Sequence, residues 1–337
     1  MKALLVKQHG DPAAVVSLQD VQAPPAPRED EVTVALDYAS ISHSTRLLIE
    51  GRYQSKPPLP FIPGTEAVGR VLAAGANVKR LKVGDRVLAV ARWGCFASEL
   101  TLPEATVYPV PEGLDLLQAL PLAISYGTAY TGLYWRAALQ PGESVLILGA
   151  GAGVGLAAVE LAALAGAEVI ACASTAEKRQ VAQARGARHT LAPGPELAAQ
   201  VKELTQGRGA ALIVDPVGGD LFDQCVRACA QNGRILSVGF ASGRVPQAPL
   251  NLLLVKNITL HGFFFGRYVG WTPADERQAF APSMQEAMHR LMRWTLQGRL
   301  QPTVAKVFDM DQLDQALATL EGRQIVGKLA IRTRLQE

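Results

Sequence analysis

The sequence predicts an α/β fold in which a β-rich unit is interrupted by a doubly wound parallel sheet. Three observations predict it. Up to about residue 120, short β-branched runs are separated by Pro and Gly turns, the texture of a compact, mostly antiparallel β unit. From about residue 121 to 264, apolar strands alternate with alanine-rich helical segments, the pattern of a parallel sheet with crossover helices. After Phe263 the β texture returns, so the first domain is discontinuous. The expected domains are therefore residues 1–120 with 265–337, and 121–264.

In chain order, strands are expected over Val32 to Leu36, Ala67 to Leu72, Arg86 to Val90 and Thr106 to Val110. Turns at Pro57-Pro58, Pro63-Gly64, Gly84-Asp85 and Pro111-Glu112-Gly113 punctuate them. The second domain reads as strand Val145 to Leu148, helix Val154 to Ala165, strand Val169 to Ala173 and helix Thr175 to Arg185. Strand Leu212 to Val214, helix Leu221 to Ala230 and strand Ile235 to Val238 follow. Met284, Met288, Leu291 and Thr295 then mark one helix face beside Ala287 and Met292. The tail is read as strand Thr303 to Phe308, a helix capped by Asp311, and strand Lys328 to Ile331.

A net charge of +3 in 337 residues, without any Lys/Arg run, gives no case for nucleic acid. The four cysteines form no CxxC pair. Cys225 and Cys229 fit one helix face as core filler, and the usage suits a reducing compartment. The N-terminus, MKALLVKQHG, lacks the apolar core of a signal peptide. The apolar stretch Val145 to Ala173 carries glycines, Glu160 and Glu168, which suits a buried strand, turn and helix better than a membrane span. A cytoplasmic protein with no membrane partner is expected.

The stretch VLILGAGAGVGLAAVELAALAGAEVIACAS sets a glycine-rich turn between a buried strand and a helix. There the backbone can approach a pyrophosphate, and the helix N-terminus offers unpaired N–H groups. A strict GxGxxG is absent, because Gly149, Gly151, Gly153 and Gly155 alternate with alanines and only Gly155 closes a frame begun at Ala150. The expected cofactor contacts at this turn are Ala150, Gly151, Gly153, Val154 and Gly155. The end of the second strand offers Ala173, Ser174 and Thr175, then Lys178 and Arg179, in place of the carboxylate that would bind a ribose 2'-hydroxyl. Missing acid and added cations favour NADPH, with Ser174, Thr175 and Lys178 as contacts. The alternative is that Lys178 and Arg179 are a solvated helix face.

Earlier in the chain, ISHSTRLLIEGRY (Ile41 to Tyr53) places a Ser-His-Ser-Thr cluster before a short apolar helix. On residue types alone it could be a nucleophile, a metal site, a proton relay or a helix cap. Ser44 lacks the Gly-x-Ser-x-Gly elbow of a hydrolytic nucleophile. His43 reads as a cap or packed ring, with contact to a nicotinamide ribose as the alternative.

The block PFIPGTEAVGRVLAAGANVKRLKVGDRVLAV, the turn AGAGVG and DPVGGD at Asp215 to Asp220 resemble the medium-chain dehydrogenase/reductase superfamily, and specifically its zinc-free quinone oxidoreductase branch. The resemblance spans nearly the whole chain. It implies a GroES-like β-rich catalytic domain with an inserted Rossmann domain, the cofactor in the cleft, and a homodimer or homotetramer. Zinc-dependent relatives place ligands where this chain has Ser42, Thr65 and Leu120, and neither hydroxyls nor leucine are zinc's usual ligands. The four-cysteine structural-zinc lobe is also missing, since only Cys95 lies in that region. No metal is expected.

Without a Lewis acid an alkoxide goes unstabilised, whereas hydride addition to a quinone or enone needs only a hydrogen-bond donor or proton source. The resemblance assigns that part to Tyr53, whose ordinary pKa of about 10 keeps the phenol protonated at neutral pH; a loop tyrosine packed on Pro57 and Pro58 is the alternative. Ser42 and Thr45 are the further substrate-facing candidates, standing where quinone reductases more often carry Asn and Asp. Thr128 in SYGTAY matches the family's nicotinamide-side threonine. Val238, Gly239 and Phe240, with Phe263 and Phe265, match segments whose backbone binds the carboxamide. The family's adenine-stacking tyrosine would fall near Pro193, where LAPG departs from the pattern. The expected activity is NADPH-dependent reduction of a small-molecule quinone or α,β-unsaturated carbonyl. An enoyl-thioester reductase and a non-catalytic NADPH-binding protein are the alternatives.

Overall fold

The computed structural model describes residues 1–53, 55–322 and 325–334. The chain forms two compact units, Met1–Ile124 with the segment from Gly266 onward, and Ser125–Phe265. The first unit therefore reaches a few residues past 120. Leu120, Pro121 and Leu122 form a buried 3-10 turn, and the Ile124 N–H donates to the buried Glu66 carboxylate at 2.8 Å, which ties this segment to the β unit.

In chain order the strands are β1 (Lys2–Val6), β2 (Val16–Asp20), β3 (Glu31–Ile41), β4 (Glu66–Ala74), β5 (Arg86–Val90), β6 (Glu99–Pro103), β7 (Val107–Pro109), β8 (Ser144–Leu148), β9 (Glu168–Cys172), β10 (His189–Leu191), β11 (Ala210–Asp215), β12 (Cys229–Ser237), β13 (Thr259–Gly262), β14 (Val304–Asp309) and β15 (Lys328–Arg332).

The first unit holds a sheet ordered β14-β15-β3-β4-β5-β7, with β6 also on β3. All its pairings are antiparallel except β14 on β15. β3 runs well beyond the expected Val32 to Leu36, because its first half pairs with β6 and its last residues pair with β15. The register brings one end of several strands together: Ser40 and Ile41 lie beside the start of β15, and Glu66 opposite Val90. The end of β3, the start of β4, the end of β5 and the start of β15 thus share one rim.

The second unit is an all-parallel sheet ordered β10-β9-β8-β11-β12-β13, the doubly wound order of a Rossmann domain. Val145, Leu146, Ile147 and Leu148 are all buried. They form an unbroken apolar run because helices cover both faces of such a sheet, and each side chain so buried contributes about 1.5–3 kcal/mol. The following helix, Gly153–Leu164, is buried from Gly155 to Ala162 and includes Glu160. That carboxylate is tolerated because the Tyr126 hydroxyl donates to it at 3.0 Å and Arg185 at 2.6 Å.

Several expectations need correcting. Thr106 closes a 3-10 turn, Glu104–Thr106, and only Val107–Pro109 is strand. Asp309, not Asp311, starts the tail helix region: Gln312 Oε1 accepts from the Asp309 N–H at 3.0 Å, the turn Met310–Gln312 follows, and the helix is Leu313–Glu321. Cys225 and Cys229 do not share a helix face, because the helix ends at Ala228 and Cys229 opens β12. Both are nevertheless core residues. The helix Arg277–Leu296 buries Met284, Ala287, Met288, Leu291, Met292 and Thr295, the stripe read from the sequence. Among the described residues no helix is long and apolar enough to cross a membrane.

Candidate functional site

On the rim of the first unit, Ser42 ends β3 and begins the helix His43–Ile49. The Ser42 N–H donates to Thr45 Oγ1 at 3.2 Å, and the Thr45 N–H donates to the Ser42 carbonyl at 3.0 Å. The two hydroxyls lie 3.3 Å apart, and Ser42 Oγ is 2.7 Å from Ser44 Oγ. The cluster therefore caps a helix. This redirects Thr45, which was expected to face substrate: it is 1% exposed and engaged with the cap, so its hydroxyl serves the helix end. Ser42 and Ser44 are partly exposed, and His43, at the first helical position, is exposed.

Tyr53 follows that helix, with its N–H donating to the Leu47 carbonyl at 3.1 Å. Its side chain is largely buried, and burial pushes the phenol pKa above its ordinary value. It is thus a hydroxyl that holds its proton, the condition a donor needs.

Near the cap, close to the end of β3, lies a buried carboxylate. Glu66, 0% exposed, accepts on Oε1 from the Lys328 ammonium at 2.5 Å and from the Ser40 hydroxyl, and on Oε2 from the Ile124 N–H. A buried charge persists only when paired and hydrogen-bonded, and this one has all three partners. The available signal was the glutamate in PGTEAVG, a carboxylate at the head of the buried apolar run Ala67-Val68.

In the second unit the phosphate turn runs from Gly149 into the helix at Gly153, both in the left-handed region. A Cβ on Gly155 would sit 2.2 Å from the Gly149 carbonyl oxygen, so helix and turn meet too closely for any other residue. Gly151 faces Lys178: a Cβ there would lie 2.5 Å from the lysine Cδ. The Lys178 stem therefore lies over the turn, and the residue is buried, which overturns the solvated-face alternative for it. Arg179 Nη1 donates to the Ala173 carbonyl at 2.9 Å, at the end of β9. Thr175 caps the helix Ala176–Ala184 by accepting from the Lys178 N–H at 3.2 Å, leaving its own hydroxyl proton to donate; Ser174 is exposed.

The same carboxyl edge carries the rest of the expected cofactor segments. The Val238 N–H donates to the Asp215 carbonyl at 2.9 Å, and the Phe263 N–H to the Ser237 carbonyl at 3.1 Å. Val238, Gly239, Phe240 and Phe263 are partly exposed there, while Phe265 is buried at the start of a 3-10 turn. Thr128, on the helix Ser125–Tyr130, is also buried. Asp215 Oδ1 accepts from the Val217 and Gly218 N–H groups at 2.8 Å each, bracing the DPVGGD turn, and burial raises its pKa.

Two family models match, the alcohol dehydrogenase GroES-like domain over residues 28–112 and the zinc-binding dehydrogenase model over 153–285. Among named proteins, the quinone oxidoreductase-like protein 2 homolog of Nematostella vectensis is 41% identical over 308 residues, covering 90% of this chain and 82% of its own. The chain belongs to the quinone oxidoreductase branch of the medium-chain dehydrogenase/reductase superfamily. Quinone oxidoreductase-like protein 2 of Rattus norvegicus is 36% identical over 94% of this chain and 88% of its own. The Escherichia coli quinone oxidoreductase, solved in complex with NADPH, superimposes with a TM-score of 0.88 at 26% identity, covering 98% of this chain and 100% of its own. A mycobacterial protein, also complexed with NADPH, gives 0.89 at 26% identity with the same coverage.

One matching model describes a zinc-binding dehydrogenase, yet the residues present do not fit that metal. At the positions that the resemblance assigns to zinc ligands, Ser42 is partly exposed and Thr65 and Leu120 are buried, and neither hydroxyls nor leucine are zinc's usual ligands. Among the described residues no three His, Cys, Asp or Glu side chains come together in a metal-holding group.

Proposed function

We propose that the protein is a zinc-independent, NADPH-dependent reductase that transfers hydride to quinones or α,β-unsaturated carbonyl compounds. The observation that carries the reading is the rim of the first unit. In a chain of this family it offers hydroxyls and a buried leucine where a metal would need ligands, and the helix that begins at Ser42 leads directly into Tyr53. When bound, NADPH supplies the hydride.

The chain's own residues do the rest. Gly151, Gly153 and Val154 present backbone to the pyrophosphate at the helix N-terminus, with Ala150 and Gly155 fixing the turn. Lys178, Thr175 and Ser174 bind the 2'-phosphate, a charge-assisted interaction that NADH cannot return. Val238, Gly239, Phe240, Phe263 and Phe265 orient the carboxamide from the sheet edge, and Thr128 lies on the nicotinamide side. Tyr53 donates a hydrogen bond, then a proton, to the acceptor's carbonyl oxygen as negative charge develops there, and Ser42 lines the same rim.

Self-association with a second copy is part of this reading. β13 is an edge strand, and the helix before it, Leu250–Lys256, leaves Leu250, Leu254 and Val255 exposed. An unpaired edge beside an apolar helix face is a template for another identical edge. Sedimentation of wild type and of Leu254→Asp checks this: the variant should run as a monomer, and a monomeric wild type sinks it.

The test of the activity is oxidation of NADPH and of NADH against a neutral naphthoquinone, a simple enone, crotonyl-CoA and an aliphatic alcohol with the oxidised cofactor. Turnover of the quinone or enone with NADPH preferred is expected. Turnover of none of them would favour a cofactor-binding protein without catalysis.

A further inference from the structure

One cation on the rim of the first unit is left unused by this reading. Arg92 follows the end of β5, and the Ala91 N–H donates to the Thr65 carbonyl at 3.0 Å, which seats Arg92 beside the strand ends that carry Ser42 and Glu66. Its Nη2 reaches Ser55, two residues past Tyr53. The guanidinium lies 5.0 Å from the centre of the Trp93 ring, an arrangement that holds the planar group in place. Its Nε is buried and donates to no described residue, and no carboxylate among the described residues pairs with it. The other arginines near this rim, Arg46 and Arg52, are paired with Glu50. Lys56, next to Ser55, adds an exposed cation.

The Trp93 ring and the Ser55 hydroxyl engage only part of this half-buried guanidinium, and among the described residues no carboxylate offsets the desolvation of its charge. Guanidinium donors in a fixed plane match a carboxylate. We infer that Arg92 is a specificity-determining residue that receives a carboxylate on the hydride acceptor, so that the preferred substrate is an enone or quinone carrying an acidic group. This rests on the reductase reading for the acceptor chemistry, while the anion site itself rests only on Arg92 and its surroundings.

The test pairs β-acetylacrylate, an enone with a free carboxylate, with its methyl ester, and includes a neutral naphthoquinone. A charged hydrogen bond contributes about 1.5–3 kcal/mol, or roughly 10- to 100-fold in affinity. Wild type should show a KM for the acid lower than for the ester by about that factor. Arg92→Gln should raise the KM for the acid to that of the ester and leave kcat, the ester and the naphthoquinone within about twofold; Arg92→Lys, which keeps the charge but not the fork, should fall between. Equal KM values in wild type, or parallel changes for acid and ester in the variant, overturn the inference. Calorimetric titration with levulinate, the saturated carboxylate, reads the anion site without hydride transfer. If no acceptor is reduced yet levulinate binds wild type and not Arg92→Gln, the anion site stands and the reductase reading falls. If levulinate binds both alike, or neither, the anion site falls whatever the activity.

Discussion

Replacing Lys328 with Met should be among the most damaging single changes available in the first unit. The lysine is 7% exposed and its partner Glu66 0%, so the substitution leaves a carboxylate in the core with, among the described residues, the Ser40 hydroxyl and the Ile124 N–H as its donors. Removing one member of a buried pair costs about 3–5 kcal/mol, mostly the penalty of the charge left behind. For a unit of about 200 residues, each kcal/mol lowers Tm by about 2–4 °C, which puts the loss at roughly 6–20 °C. Glu66→Gln alone strands the ammonium and should cost a similar amount. In the double variant no charge remains, and the glutamine carbonyl can still accept from Ser40 or Ile124, so stability should return to within about 2 kcal/mol of wild type. Denaturant unfolding of the four proteins, followed by circular dichroism, measures the cycle. Single losses that simply add to within about 0.5 kcal/mol, or a Lys328→Met loss under about 1 kcal/mol, would refute the assignment of this pair as a mutually dependent buried ion pair.

Tyr53→Phe should lower kcat for a quinone or enone by about 100-fold or more, the range for loss of a general acid, with KM for NADPH unchanged; an undiminished kcat removes Tyr53 as the donor. Because burial raises the Tyr53 pKa, the phenol stays protonated past its ordinary value of about 10, and the alkaline limb of the wild-type kcat profile should lie above that pH. Lys178→Ala should raise the KM for NADPH by about 10- to 100-fold while leaving that for NADH nearly unchanged, the loss of one charged contact. Burial pushes the Cys172 thiol up to about 12 and the Cys229 thiol up to about 11, and raises Cys95 and Cys225 as well. All four should resist alkylation in the native protein at pH 8, read by mass spectrometry. Since these thiols lose protons in the unfolded chain at an ordinary value of about 8.5 but retain them when folded, stability should fall as pH rises from there toward 11 to 12.

The doubly wound domain was legible because buried parallel strands are written as unbroken apolar runs, such as Val145 to Leu148, with glycines marking the turn where backbone must approach backbone. The stripe from Met284 to Thr295 was legible for the same kind of reason, since a helix burying one face repeats its apolar residues every three to four positions. Glu66 with Lys328, 262 positions apart, was not legible, because only the sheet register brings β4 and β15 to one rim. Thr45 was misread because a small hydroxyl near a cleft has the same sequence whether it meets substrate or closes a helix cap. Lys178 was legible as a cofactor-side cation from the missing acid at the end of β9, but what removes its solvated-face alternative, the side-chain-free Gly151 beneath its stem, is visible only in the structure. Arg92 carried no motif, and its standing depends on which partners it lacks.

The most direct test of the account follows NADPH oxidation by a neutral naphthoquinone and a simple enone, using protein dialysed against a zinc chelator and metal-free controls. The account predicts turnover of at least one acceptor, faster with NADPH than NADH and unchanged by chelator or added zinc. Oxidation that stops on chelation and returns with zinc, or no oxidation with any acceptor while the protein remains folded, would contradict it.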